Sequence, residues 1–173
     1  GQSDYNAASE KQKGTGSKTL TVYNCAVASQ NAFFQMAPHF DTMIASKQPD
    51  LILYSHGHNH GGSGTLQEFW RNNLVVTTQT ILRACPMSEL VLIAQNPRTD
   101  SSATVQAERQ FVTEQVARDC GFGFVNAHRA FLDVDPTASS LLADAIHPNA
   151  AGYAVQAEAL IRLLGLDGAL GSQ

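Results

Sequence analysis

The stretch "ELVLIAQNP", Glu89–Pro97, decides the fold. After one charged residue it runs through Leu90, Val91, Leu92, Ile93 and Ala94 without a polar interruption, then stops at Asn96-Pro97. A strand with one face in water alternates apolar and polar residues, whereas a strand covered on both faces does not. The residue before a proline is steered away from helical conformation, which ends the run there. The segment is therefore expected to lie inside a parallel sheet with helices on both sides.

The flanking segments agree. Upstream, "GTLQEFWRNNLVVTTQTILRAC" (64–85) reads as a long helix, and "LILYS" (51–55) as a strand after the turn signal Pro49-Asp50. Before it, "NAFFQMAPHFDTMIASK" (31–47) has helical spacing with a break predicted at Pro38, and "TLTVYNCAV" (19–27) reads as a buried strand. Downstream, residues 102–121 read as an amphipathic helix closed by Gly121, "FGFVNAH" (122–128) as a strand, and 149–165 as a last helix, again closed by glycine. Strands alternate with helices throughout, which is the α/β pattern. Residues 1–173 form one domain in this reading, with a polar segment over 1–18 and a soft tail over 166–173.

Composition narrows the function classes. The chain has 173 residues, 43% hydrophobic and 15% charged, and a net charge of −4. Its eleven basic residues are scattered, so it lacks the positive footprint of a nucleic-acid binder. No apolar run is long enough to span a bilayer, and the polar start is unlike a signal peptide. The sequence leaves the compartment of a soluble protein open, with a slight lean to a secreted or cell-surface setting. Cys25, Cys85 and Cys120 show no C-x-x-C pairing, against a structural zinc site, and are expected as free thiols, although Cys85 and Cys120 could neighbour each other.

In sheets of this kind chemistry gathers outside the carboxyl ends of the strands. Four places qualify: Ala28-Ser29, His56–His60, Asn96–Arg98, and the loop "DAIHPNAAGY" (144–153) before the last helix. In that loop Asp144 stands three residues before His147. A carboxylate so placed can accept the imidazole Nδ1–H and leave Nε2 free to take a proton, the work of a catalytic Asp–His pair.

"DAIHPNAAGYAVQAEAL" resembles the final D-x-x-H-P block of the SGNH (GDSL-type) hydrolases. "PDLILYSHGHNH" is similar to their strand–G-x-N-D block, with Gly57 and Asn59 matching and His60 replacing the aspartate. "TVYNCAVASQNA" resembles their N-x-G-x-x-G block, with Asn24 matching and Ala26 and Ser29 in place of glycines. The likeness runs from about Thr19 to Leu164. It implies a three-layer α/β/α flavodoxin-like domain that hydrolyses acyl esters through a serine, without a cofactor or metal. His147 would be the general base and Asp144 its orienter. The Asn59 side chain and the Ser29 backbone N–H would be the oxyanion donors, Gly57 lying in the same block. The implied substrate is a small acyl ester or an O-acetylated carbohydrate.

The nucleophile stays open. "GQS" at Gly1–Ser3 resembles a variant of the family's nucleophile turn, but no strand precedes it. The alternatives are a serine upstream of Gly1, on a first strand that this chain lacks and that a separate N-terminal peptide could supply, or a domain without catalysis that binds a carbohydrate or partner. A rival resemblance is the G-H-x-H-G-G loop of calcineurin-like metallophosphoesterases, which would use His58 and His60 as metal ligands. The carboxylates such a centre requires have no matching motif before the loop.

Overall fold

The computed structural model describes residues 9–13, 19–27, 40–59 and 66–166. Strand β4 (Glu89–Ala94) is the centre of a three-stranded parallel sheet, flanked by β3 (Leu51–Tyr54) and β5 (Gly123–Asn126). Leu53 pairs with Val91, and Val91 in turn with Gly123. After the exposed Glu89, every residue of β4 is buried, as the continuous apolar run predicts.

Successive side chains of a strand point to opposite faces, so β4 feeds two cores. Leu90 and Leu92 pack with Tyr54, Trp70, Leu74, Ile81, Val112 and Val116 beneath helices α2 (Leu66–Ala84) and α3 (Ala103–Cys120). Val91 and Ile93 pack on the other face with Val125, Ala127 and Leu160. That face is covered by helix α5 (Ala150–Leu163), which also packs on α4 (Ala127–Val134). The result is a three-layer α/β/α domain. Leu92 is wholly buried, and such burial contributes about 1.5–3 kcal/mol per side chain.

Helix ends follow from local chemistry. Ser102 Oγ accepts from Val105 N at 3.3 Å and Asn149 Oδ1 from Gly152 N at 3.0 Å, satisfying donors that have no partner within the helix. Gly152 has a second function. A Cβ there would collide with Leu141 O and lie 3.0 Å from the Phe131 ring. Only glycine lets α5 seat against the 3-10 turn Ser139–Leu141, and that contact positions the loop between them.

Three expectations change. Residues 19–27 do not form a buried parallel strand: β2 (Thr19–Tyr23) pairs antiparallel with β1 (Ser9–Lys13), inside the segment read as merely polar. Leu20 and Val22 are exposed, because a two-stranded ribbon has no second layer to cover them. Strand β3 is an edge of the sheet among the described residues, as expected if the first strand is missing. Among the described residues nothing pairs with its outer side, and Leu51 and Leu53 are exposed. The helix expected at 31–47 is described only from Phe40, as the short α1 (Phe40–Met43) and a 3-10 turn at Ala45–Lys47, and the break at Pro38 lies outside the described residues. Finally, α4 begins directly after β5, where only a loop was expected. Asn126 caps it by accepting from Arg129 N at 2.8 Å. The three cysteines are free thiols.

Candidate active site

The loop from Leu142 to Asn149 is closed on itself. Leu142 bridges Pro148, Ala143 N donates to His147 O at 2.8 Å, and Asn149 N donates to Leu141 O at 3.0 Å. Inside it, Asp144 Oδ1 accepts from the backbone N–H of Ile146 (2.7 Å) and of His147 (2.8 Å). Its other oxygen, Oδ2, accepts from His147 Nδ1 at 2.7 Å.

These contacts hold the Asp144 carboxyl down to about 2, the His147 N–H contributing most, then the His147 ring, then Ile146 N–H. A carboxylate at neutral pH has no proton to give, so the shared proton belongs to Nδ1. Nε2 is then the bare, basic nitrogen of the neutral ring. Both side chains are largely exposed, so a substrate can reach Nε2 from solvent.

The loop after β3 is built differently. Gly57 is buried with φ 154°, a backbone conformation that side-chain-bearing residues avoid, and a Cβ there would press on Gln95 Oε1 at 3.3 Å. The turn lets His58 N donate to Gln95 Oε1 at 2.6 Å and swings the His58 ring inward, where Nε2 donates to Asn96 O at 2.9 Å. Asn59, the next residue, is exposed.

Residues after β4 join the two loops. Arg98 Nη1 donates to His58 O at 2.7 Å, Asn96 Nδ2 to Ile146 O at 2.8 Å, and Thr99 N to Ala145 O at 2.9 Å. The segments that carry Asn59 and His147 thus lie at the same end of the sheet, each one residue from a bond to the 96–98 segment.

Burial keeps the inward histidines neutral. Desolvation, helped by the nearby Arg98 and Arg109 charges, pushes His58 down to about 4, against the raising effect of the Asn96 carbonyl and Asp100. His56 and His128 are lowered by desolvation alone. All three line a cavity of about 30 Å³ with Arg109 and Asn96. That holds about two waters.

Of the two histidines in the metal-centre reading, the described one, His58, points inward. His58 Nε2 is spent on a carbonyl, and among the described residues no group of three or more His, Cys, Asp or Glu side chains is arranged to hold an ion. Ser3, Ser29 and His60 lie outside the described residues, as does His39. Arg98 makes the loop salt bridge its position suggests, to Asp100 at 2.6 Å. Gln95 and Gln106 went unremarked in the sequence as polar loop or helix residues, and Asn96 was marked only as the strand stop that opens one of the four candidate places. Their one signal was that polar side chains follow a strand that ends at the site.

The chain matches the sequence profile of the GDSL-like lipase/acylhydrolase family over residues 4–155. No curated protein matches it. Among solved structures it is similar to a putative GDSL-like lipase from Parabacteroides merdae, with a TM-score of 0.72, 19% identity, and coverage of 85% of this chain and 74% of that one. It is also similar to a catalytic mutant of an acetylxylan esterase from Geobacillus stearothermophilus, at a TM-score of 0.69, 19% identity, and coverage of 85% and 73%. At such identity the two structures speak for the fold, an α/β parallel sheet between helices. Among the described residues no helix is long and apolar enough to cross a membrane. With the profile spanning most of its length, the chain belongs to the GDSL-like lipase/acylhydrolase family of carboxylic-ester hydrolases.

Proposed function

We propose that the chain hydrolyses short acyl esters, O-acetyl groups on a carbohydrate in particular, with His147 as general base. The observation that carries this is the 2.7 Å contact between His147 Nδ1 and Asp144 Oδ2, with Asp144 held anionic by two further N–H donors. His147 Nε2 takes the proton of a serine hydroxyl as it attacks the ester carbonyl, then returns it to the departing alcohol. Asp144 keeps the ring in the reactive tautomer and stabilises the imidazolium that forms. Developing charge on the carbonyl oxygen is met by the Asn59 side-chain NH₂ and by Ser29 N–H. A second ester cleavage, by water, frees the acid and restores the serine. The acetyl-sugar preference draws support from the acetylxylan esterase among the similar folds.

The nucleophile is a serine outside the described residues, Ser3 being the candidate that the sequence offers. Strand β3 offers it a place. A strand added in parallel to the outer edge of β3 would end level with Ser55–Asn59, at the end of the sheet where His147 lies. Neither the family profile nor the similar structures lend support to a separate peptide as the source of that strand.

The test is hydrolysis of p-nitrophenyl acetate and release of acetate from acetylated xylan, for the wild type and His147→Ala. The expected loss in the variant is about 10³-fold or more with the fold intact. A variant as active as the wild type would overturn the base assignment. Labelling with a fluorophosphonate and mapping the adduct by mass spectrometry identifies the serine, and a labelled residue other than a serine refutes the mechanism.

A further inference from the structure

We propose that Asn96 is a positioning residue that sets His147 relative to the Asn59 loop; the proposal rests on the catalytic reading of that site. Asn96 is 6% exposed, and both hydrogens of its amide are used, one on Pro97 O and one on Ile146 O, each at 2.8 Å. The second of these matters for the chemistry. The Ile146 carbonyl belongs to the same peptide unit as the His147 N–H, and that N–H donates to Asp144 Oδ1 at 2.8 Å. The peptide plane leading into His147 is therefore clamped at both ends, by Asn96 on its oxygen and by Asp144 on its nitrogen.

A rigid plane at this point fixes the His147 Cα. The Nδ1 contact to Asp144 Oδ2 then fixes the ring, so Nε2 has one place to be. The main chain of Asn96 faces the other loop. Its carbonyl accepts from His58 Nε2 at 2.9 Å, while His58 N and O are held by Gln95 Oε1 and Arg98 Nη1. A single buried residue thus bonds to the segment before His147 and to the residue before Asn59. Nothing else in these contacts requires an asparagine. A buried amide between two carbonyls is costly to misplace, and small displacements of a base from its proton are costly in rate.

A clamp of this kind acts on kcat more than on KM. The experiment measures both on p-nitrophenyl acetate for Asn96→Ala, alone and in a His147→Ala background. The expected result is a loss in kcat of about 10-fold or more with KM within about twofold, and no further loss when His147 is already absent. An unchanged kcat, or the same loss in both backgrounds, overturns the proposal, because a general structural defect would add to the missing base. A second readout is independent of turnover: the low-field proton resonance of His147 Nδ1–H. It broadens or shifts in folded Asn96→Ala if Asn96 holds the ring's backbone, and an unchanged resonance refutes this. Should the wild type show no esterase activity, the proposed function fails, and the resonance alone decides the positioning role. If Asn96→Ala does not fold, Asn96→Asp keeps the shape, replaces the amide donor at neutral pH, and takes the same measurements.

Discussion

Acidification is expected to destabilise this domain through His58 before it touches the carboxylates. In the unfolded chain the ring protonates near its ordinary 6.5; in the folded chain it resists until about 4. Between those values the unfolded state binds more protons, so stability falls as pH falls. The contribution is complete above pH 6.5 and gone below about 4. Each pH unit of such a gap is worth about 1.4 kcal/mol, giving about 3 kcal/mol over the window. This is an upper figure, since the ring is only partly enclosed and water relaxes around the charge. Burial outweighs the neighbours: Arg98 and Arg109 oppose a charged ring, while the Asn96 carbonyl and Asp100 favour it. His56 and His128, lowered by burial, steepen the same slope. Asp144, held down to about 2, has its effect below pH 4 and leaves the window to the histidines. The assay is urea unfolding followed by fluorescence of Trp70, the single tryptophan, which is 3% exposed and reports on the core. His58→Gln keeps a donor for Asn96 O and removes the titration. Its stability should fall distinctly less than that of the wild type between pH 7 and 4.5. Parallel curves for the two proteins would refute the reasoning.

Two further outcomes follow from the geometry. Asn59→Ala should lower kcat on p-nitrophenyl acetate by about 10²–10³-fold with little change in KM, because an oxyanion donor acts on the transition state; a change confined to KM contradicts that role. Gly152→Ala forces a methyl group onto Leu141 O and the Phe131 ring, and should cost about 1–3 kcal/mol in urea unfolding. Since the same contact seats the His147 loop, activity should fall with it, and a variant as stable as the wild type would show that the helix shifts freely.

Local rules made much of this protein legible from the chain alone. The unbroken apolar run of β4, the cap at Ser102, the stop at Gly121 and the start of α5 at Asn149 all depend on a few neighbouring residues. The Asp144–His147 pair belongs to the same class, because a separation of three residues lets a carboxylate fold back onto the imidazole. Helix α4 was missed although its cap is equally local: Asn126 is both the last residue of β5 and the cap, so the strand pattern masked the change of period.

Other features were settled by parts of the chain far apart in sequence. The antiparallel pairing of β2 depends on which strand reaches it, and its apolar residues read the same whether buried or exposed. The histidines after β3 looked like ligands or loop residues, and only the carbonyl of Asn96, 38 residues away, turned His58 inward. Asn96 itself reads as a strand stop. Its amide meets Ile146 across 50 residues, a contact that no spacing rule encodes, because loop closure is dictated by the packing of the layers rather than by neighbours along the chain.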